Sequence, residues 1–467
     1  MKRKRYACCT TQAPRQWKAI FLALALCALT LAACGPGHSG GDEIAFLRGG
    51  GLWTLSPDGS SLNQIESGGF IGFAWSPDHH QIVLRMQNGA GAEVDAPFGQ
   101  SDSKSELGVT AIDGGNILQI TPPNSGLLRS DAWWDASGNR LLYREEQTEG
   151  NSATSGASGA SGTSEAPGAP QWKLSQADQP AGIARKDLPA SVVLPAVNHD
   201  GSLIASITAA GQVLLGAPGE QPRLLTSGAL TTLPGSVVYP ARPLWQPGTN
   251  RLLYAAAGAS PDEATLLLSD TSGHSRPLLT VAHLQQYAWS PDGRLLLVQT
   301  LSASTTYQVY NAQGTLQFAW DAAAERSLPF WSPDSRMLLV LAPDGLTLVN
   351  VAARSQVTLL HGTIRLPAAP TSEAQSPFLR PAINSPWKSD SSAFLFTNDG
   401  QGAWAAQPGQ ALHFRSGAGD GLYSSVLESS TQAGNSSAPR FPTLLDWGEH
   451  QSVSWSTLDP NCAFLIL

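Results

Sequence analysis

Carboxylates, histidines, a serine in a glycine-rich setting and a few cysteines are the residues of this 467-residue chain that could do chemistry, and each pattern is tested by its spacing. Gly37-His38-Ser39-Gly40-Gly41 has the form of a nucleophile elbow. That elbow needs a strand before it and a helix after it, and here a glycine-rich stretch follows Cys34 directly. His79-His80 is the closest pair among the nine histidines, but it lies in a predicted turn with no third ligand, so no metal site is read there. Asp78, Asp200, Asp292, Asp334 and Asp390 recur in predicted turns. Such aspartates normally bond back to their own backbone, and no Asp-x-Asp-x-Asp loop points to calcium. No nucleophile-base pair, phosphate loop or cofactor motif is found, so no cofactor and no catalytic residue are assigned.

The cysteines divide by position. Lys2, Arg3, Lys4, Arg5, Arg15 and Lys18 precede a run from Ala19 to Ala33 without a charge. Fifteen residues are too few to cross a hydrocarbon core of about 30 Å, so residues 1–33 read as an export signal. It ends in Leu31-Ala32-Ala33-Cys34-Gly35. These residues resemble the bacterial lipoprotein signal, which implies that the Cys34 thiol receives a diacylglyceryl group and that cleavage follows Ala33. Two acyl chains make a stable anchor where one is marginal. Cys8, Cys9 and Cys27 leave with the signal, and Cys462 is then the only free thiol, so no intramolecular disulfide is expected. The expected location is the extracytoplasmic side of a bacterial membrane.

The chain holds 28 basic and 36 acidic residues, a formal charge of −8; without the six basic residues of 1–33 it becomes −14. This excludes a nucleic-acid partner, and the lack of a polybasic stretch leaves the lipid as the membrane contact.

A repeat organises the rest. Trp75-Ser76-Pro77-Asp78, Trp289-Ser290-Pro291-Asp292-Gly293 and Trp331-Ser332-Pro333-Asp334 each precede a short aliphatic run. Looser copies begin at Trp134, Trp245 and Trp387, and one at Val197 lacks the tryptophan; the spacings are 59, 63, 48, 44, 42 and 56 residues. Proline presets φ, aspartate bonds to the backbone and glycine supplies positive φ, so Ser-Pro-Asp-Gly joins two adjacent strands. Two more strand-like runs follow in each unit, for example around 266–270 and 277–280. A four-stranded sheet of this kind buries its two faces only against neighbours around an axis.

The motif resembles the TolB-type propeller repeat, and the resemblance covers nearly all of residues 44–467. It implies an all-β propeller of four-stranded antiparallel blades, and counting the stations along the chain favours eight blades with seven as the alternative. Residues 34–43 are expected to be a flexible tether. Residues 44–65 look like a unit missing its first strand, which Leu444-Leu445-Asp446-Trp447 is expected to supply, with 452–456 as a competitor for that edge.

The tryptophans at 75, 134, 245, 289, 331 and 387 are expected to pack between blades, because Trp is costly to expose in such numbers. Trp172, Trp404 and Trp455 fall off the repeat and are the only ones considered for a ligand. Stretches rich in Ser, Gly and Ala near 87–106, 147–170 and 429–439 are expected to be disordered insertions. The first two are second-to-third connections; 429–439 and the proline-rich 365–381 are read as fourth-to-first connections. All four then emerge opposite the tight turns, on the face expected to bind a protein or cell-envelope partner.

The expected function is a lipid-anchored binding or scaffolding module. The alternatives are a hydrolase or lyase using the central channel, or an accessory sensor subunit, since the fold hosts all of these. If the lipid signal is used, Cys34→Ser leaves the precursor uncleaved at Ala33. Mass spectrometry of the mature amino terminus checks this, and an unmodified terminus at another residue would refute it.

Overall fold

A computed structural model describes residues 43–87, 104–147 (less 124–125, 131 and 136–137), 171–180, 186–234, 241–322, 327–364 (less 343–344), 385–407, 410–413, 421–426, 443–447 and 451–455. Residues 360–364 and the strands beyond Phe396 are described by their backbone. Cys34, Cys462 and the bodies of the insertions near 87–106, 147–170 and 429–439 lie outside the described residues.

Alternation of apolar and polar residues between glycine- and proline-bearing turns gives strands throughout, and no helix occurs among the described residues. The strands form seven antiparallel sheets that follow one another along the chain. The second runs Phe70–Trp75, Gln81–Gln87, Ser105–Ala111, Leu118–Gln119. In the third, Leu127–Arg129 and Trp133–Trp134 both pair with Arg140–Gln147, and Gln171–Gln176 and Lys186–Asp187 follow. The fourth (from Val192–Val197), fifth (from Leu244–Trp245) and sixth (from Leu284–Trp289) each have four strands in sequence order. The first is completed from the far end of the chain: Gln451–Trp455 pairs with Ile44–Arg48, and Gly51–Leu55 and Leu62–Glu66 lie beyond it. The seventh has eight strands. Leu328–Trp331 through Ser355–Ile364 come first, then Ala393–Gln407, Gly421–Val426 and Thr443–Trp447, with Gln410–His413 as a hairpin partner of Ala393–Gln407.

Neighbouring sheets bury their faces on one another. Ala45 and Leu47 pack with Phe73 and Trp75, Val109 with Trp134 and Leu141, Trp172 with Val192 and Ile204, and Leu194 with Leu252 and Tyr254. The series continues through Leu266 with Leu284 and Trp289 and Tyr307 with Trp331 and Leu338. Ile44 and Phe46 meet Ala393 and Leu395, which returns the series to its start. Up-and-down sheets packed in chain order, with the last strand paired to the first, make a β-propeller.

The repeat has one register. Trp75 pairs with Ile82, Trp134 with Leu141, Val197 with Ile204, Trp245 with Leu252, Trp289 with Leu296, Trp331 with Leu338 and Trp387 with Phe394, seven positions apart each time. Trp455 pairs with Ile44 in the same way. This corrects two expectations. Trp455 stands in register as the tryptophan of the first sheet, and the closing strand is Gln451–Trp455. Thr443–Trp447 instead forms the outer edge of the seventh sheet, because Gly421–Val426 needs a fourth-strand partner.

Trp75, Trp134, Trp289, Trp331 and Trp387 are buried, as expected, while Trp245 is half-buried. Trp134, Trp245 and Trp387 donate their indole N–H to the carbonyls of Ala74, Ala196 and Phe330 at 3.0–3.1 Å. Each acceptor immediately precedes the station residue of the previous unit, so the tryptophan fixes the spacing between sheets as well as filling it. Trp172 is also buried and donates to the Val193 carbonyl at 3.0 Å, which removes it from the ligand candidates. The side chains of Trp404 and Trp455 lie outside the described residues.

Trp387→Ala should cost on the order of 3–5 kcal/mol, since a fully buried ring, its edge contact with Phe394 and its hydrogen bond all go. Gly314 and Gly248 both have positive φ, +85° and +69°. A Cβ on Gly314 would meet the Leu278 carbonyl oxygen at 2.2 Å, whereas one on Gly248 would meet nothing within 4 Å. Alanine at 248 should therefore cost about 1–2 kcal/mol for the left-handed backbone alone, and alanine at 314 clearly more. Urea unfolding of the three variants checks the order.

Candidate binding face

In an antiparallel blade the first-to-second and third-to-fourth connections leave at one end and the others at the opposite end. The first end is built of the repeat turns. In Ser290-Pro291-Asp292-Gly293, Gly293 N–H donates to the Ser290 carbonyl at 2.8 Å. The Ser290 hydroxyl donates to Asp292 Oδ1 at 2.6 Å and accepts from Leu295 N–H at 2.9 Å. Asp292 Oδ1 also accepts from Arg294 N–H at 3.0 Å. The turns at Ser76, Pro77 and Asp78 and at Ser332, Pro333 and Asp334 repeat this pattern. The fourth position is left-handed in six of these seven turns, through His79, Gly138, Gly201, Gly293, Ser335 and Ser391 with φ of 61–70°, and in Gln246-Pro247-Gly248-Thr249 the third residue, Gly248, is left-handed instead, with φ of 69°.

Turns also bond to one another. Gln246 Nε2 donates to the Gly293 carbonyl at 2.7 Å, Asp292 N–H to Ser335 Oγ at 3.0 Å and Asp334 N–H to Ser391 Oγ at 3.0 Å. The repeat carboxylates are thus engaged by their own turns, and no group of three metal-binding side chains occurs among the described residues. His79 is a turn residue whose N–H donates to the Ser76 carbonyl at 3.0 Å.

The same turn chemistry explains one arrangement that mimics a catalytic triad. Ser272 Oγ lies 2.7 Å from His274 Nδ1 and donates to Asp270 Oδ1 at 2.6 Å, and Asp270 Oδ2 is 3.6 Å from the same Nδ1. A triad needs serine and carboxylate on opposite ring nitrogens. Here both approach one nitrogen, and the His274 side chain is 89 % exposed, so this is a third-to-fourth turn capped by its own side chains.

The opposite end is different in kind. Long connections leave it at 88–104, 148–170, 228–243 and 365–384, and the hairpin that ends in Gln410–His413 belongs to a fifth. One expectation is corrected here. The 429–439 stretch joins Gly421–Val426 to Thr443–Trp447 and departs beside Val426, whose partner Ala393 follows the Lys388–Ser392 turn, so it leaves on the tight-turn side. The misreading follows from taking 444–447 as a first strand.

Near the ends of Gln81–Gln87 and Arg140–Gln147 that lead away from the tight turns lies a cluster of buried charge. Arg129 is fully buried, donates from Nε to Glu145 Oε1 at 2.9 Å and bonds the Ser105 carbonyl. Arg85 Nη1 donates to the Arg129 carbonyl at 3.1 Å. Burial pulls the neighbouring Arg144 guanidinium down to about 10, against the charge of Glu146. Closer to the tight turn of the third sheet, the half-buried Arg242 guanidinium sits 4.8 Å above the Trp133 ring, which meets Trp172 at 5.4 Å. Buried ion pairs seldom add net stability; they specify geometry. Sequence reasoning missed this cluster because its members are scattered over the chain and match no spaced motif. A further cleft of about 670 Å³ lies between the third and fourth sheets, lined by Leu174, Lys186, Asp187, Ser206, Glu220 and Pro222 among others.

No protein-family model and no curated protein matches the chain. Similar solved structures include a eukaryotic initiation factor, 12 % identical over 90 % of this chain and 99 % of that one, with a TM-score of 0.48. An oligogalacturonate lyase in complex with manganese is 12 % identical over 62 % and 79 %, with a TM-score of 0.43. A putative TolB from Agrobacterium tumefaciens is 15 % identical over 54 % and 83 %, with a TM-score of 0.34. At these values no ligand or activity passes to this chain.

The turn hydrogen bonds have a titration consequence. Bonds from Ser60 and Ser56 hold Asp58 down at about 2, and those from Ser202 and Ser272 lower Asp200 and Asp270. In Asp78 and Asp390 burial pushes upward but is outweighed by serine and backbone donors. Carboxylates depressed on folding contribute stability that is present above their unfolded value near 4 and lost as pH falls through the folded values. The melting temperature should therefore fall between about pH 4 and pH 2, and Asp58→Asn should flatten part of that slope. Thermal melts across this range check it; an unchanged slope would contradict the assignment.

Proposed function

We propose that the chain is a lipid-anchored, extracytoplasmic propeller of eight blades that binds a protein or cell-envelope partner on its long-connection face. Eight blades is supported by eight station residues in one register, with the eight-stranded sheet counted as two blades joined by the extended strand Ala393–Gln407. The anchor is supported by Leu31-Ala32-Ala33-Cys34.

The observation that carries the binding reading is the contrast between the two faces. The repeat turns spend their polar groups on themselves and on adjacent turns, whereas five long connections leave from the other end of the blades, where Arg129 and Glu145 pair. Recognition residues tend to lie on loops that a rigid scaffold positions.

Photo-crosslinkers at Ala210 and Ala303, exposed on the long-connection face, and at Asp58 and Asp334 in the tight turns, test this in native membranes. A shared crosslinked species is expected from the first pair. Partner capture only through Asp58 and Asp334 would refute the face assignment, and Asp334→Lys is expected to leave capture unchanged.

A further inference from the structure

The point at which the chain enters the propeller has a fixed place. Ile44 opens the second strand of the first sheet, paired with Trp455 on one side and Leu55 on the other, and Leu55 runs directly into the Ser56-Pro57-Asp58-Gly59 turn. Trp455 occupies the position that in the other sheets immediately precedes a first-to-second turn. Ile44 is therefore on the tight-turn face, and two strands, Gly51–Leu55 and Leu62–Glu66, separate it from the outer rim.

We infer that the tight-turn face lies against the membrane and the long-connection face points away from it, an orientation that rests on the lipidation of Cys34 proposed above. The argument is one of reach. Ten residues connect Cys34 to Ile44, and fully extended they span at most about 33–36 Å. To turn the other face toward the bilayer, this segment would have to cross two strands at about 4.8 Å each and then run the length of a blade, roughly 17–23 Å for five to seven residues. With the side chains of the outer strand added, that path uses the whole segment. The direct route uses almost none of it.

The tight-turn face supplies no attraction to anionic headgroups, since Asp58, Asp78 and Asp200 add negative charge there, so the lipid alone must hold the contact. Arg294, Arg336 and Lys388 each lie within 3.0–3.9 Å of the carboxylate of their own turn, Asp292, Asp334 and Asp390. Such paired cations are spent on their own turns, so the lipid supplies the attachment and chain reach supplies the orientation.

The test uses the full-length lipidated protein with Cys462→Ser in vesicles of phosphatidylethanolamine and phosphatidylglycerol that carry a headgroup-attached quencher. A thiol fluorophore is placed singly by Arg294→Cys or Arg336→Cys on the tight-turn face, and by Ala210→Cys or Ala303→Cys on the other; all four positions are exposed. Quenching is expected to be several-fold stronger at 294 and 336. Insertion of about thirty Gly/Ser residues after Ser39 frees the reach and is expected to collapse the difference. Protein that fails to float with the vesicles would remove the anchor and this orientation together. Protein that floats but is quenched equally at all four sites, or more at 210 and 303, would overturn the orientation alone. A difference that survives the lengthened segment would leave the orientation standing and overturn chain reach as its cause.

Discussion

A four-stranded blade with apolar residues on both faces is stable only between two others, and the tryptophan at the end of the first strand is where that need is met. Its ring fills the space between sheets, and in the units of Trp134, Trp245 and Trp387 its N–H bonds a carbonyl of the preceding unit. The register of every unit is tied to this position, which Val197 occupies in the fourth sheet. A slip by one position would turn each alternating strand inside out. The same constraint explains why the amino-terminal strand is not an edge: Ile44–Arg48 presents a full set of backbone groups, and Gln451–Trp455 takes them.

The tight turns follow from the tryptophan. Once the first strand is fixed, the chain must reverse within six residues, and serine, proline, aspartate and a left-handed fourth residue do this by satisfying one another. What looks in sequence like a ring of reactive carboxylates is a ring of hydrogen-bond acceptors already in use. Most of the long connections lie at the other end of the blades, where their length varies from sheet to sheet, the one carrying 429–439 being the exception.

One buried ion pair, Arg129 with Glu145, lies at that other end, while a second buried carboxylate, Asp135, lies in a tight turn against Arg140. Arg129 with Glu145, and Arg242 over Trp133, bring together segments that are 16 and 109 positions apart. A buried pair of this kind is sensitive to geometry because an unpartnered charge in a low-dielectric setting is expensive. It holds the bases of the long connections in one arrangement, which is what a loop-borne recognition surface needs.

By itself the sequence determined the all-β class, the four-strand unit, the turn chemistry and seven of the eight register stations, because these depend on contacts within a few residues or on a period the eye can follow. It also carries the Leu31-Ala32-Ala33-Cys34 motif, a linear pattern that can be read without the fold. Tertiary structure decided the rest. Gln451–Trp455 and Thr443–Trp447 are both short, apolar and tryptophan-bearing, so nothing local distinguishes a closing strand from an outer one; only pairing with Ile44–Arg48 does. Trp172 looked free because it is off the repeat, yet it is buried because the neighbouring sheet covers it. The side on which 429–439 leaves, and the face at which the chain enters, follow from strand direction within a closed ring, a property of the whole circuit that no segment contains.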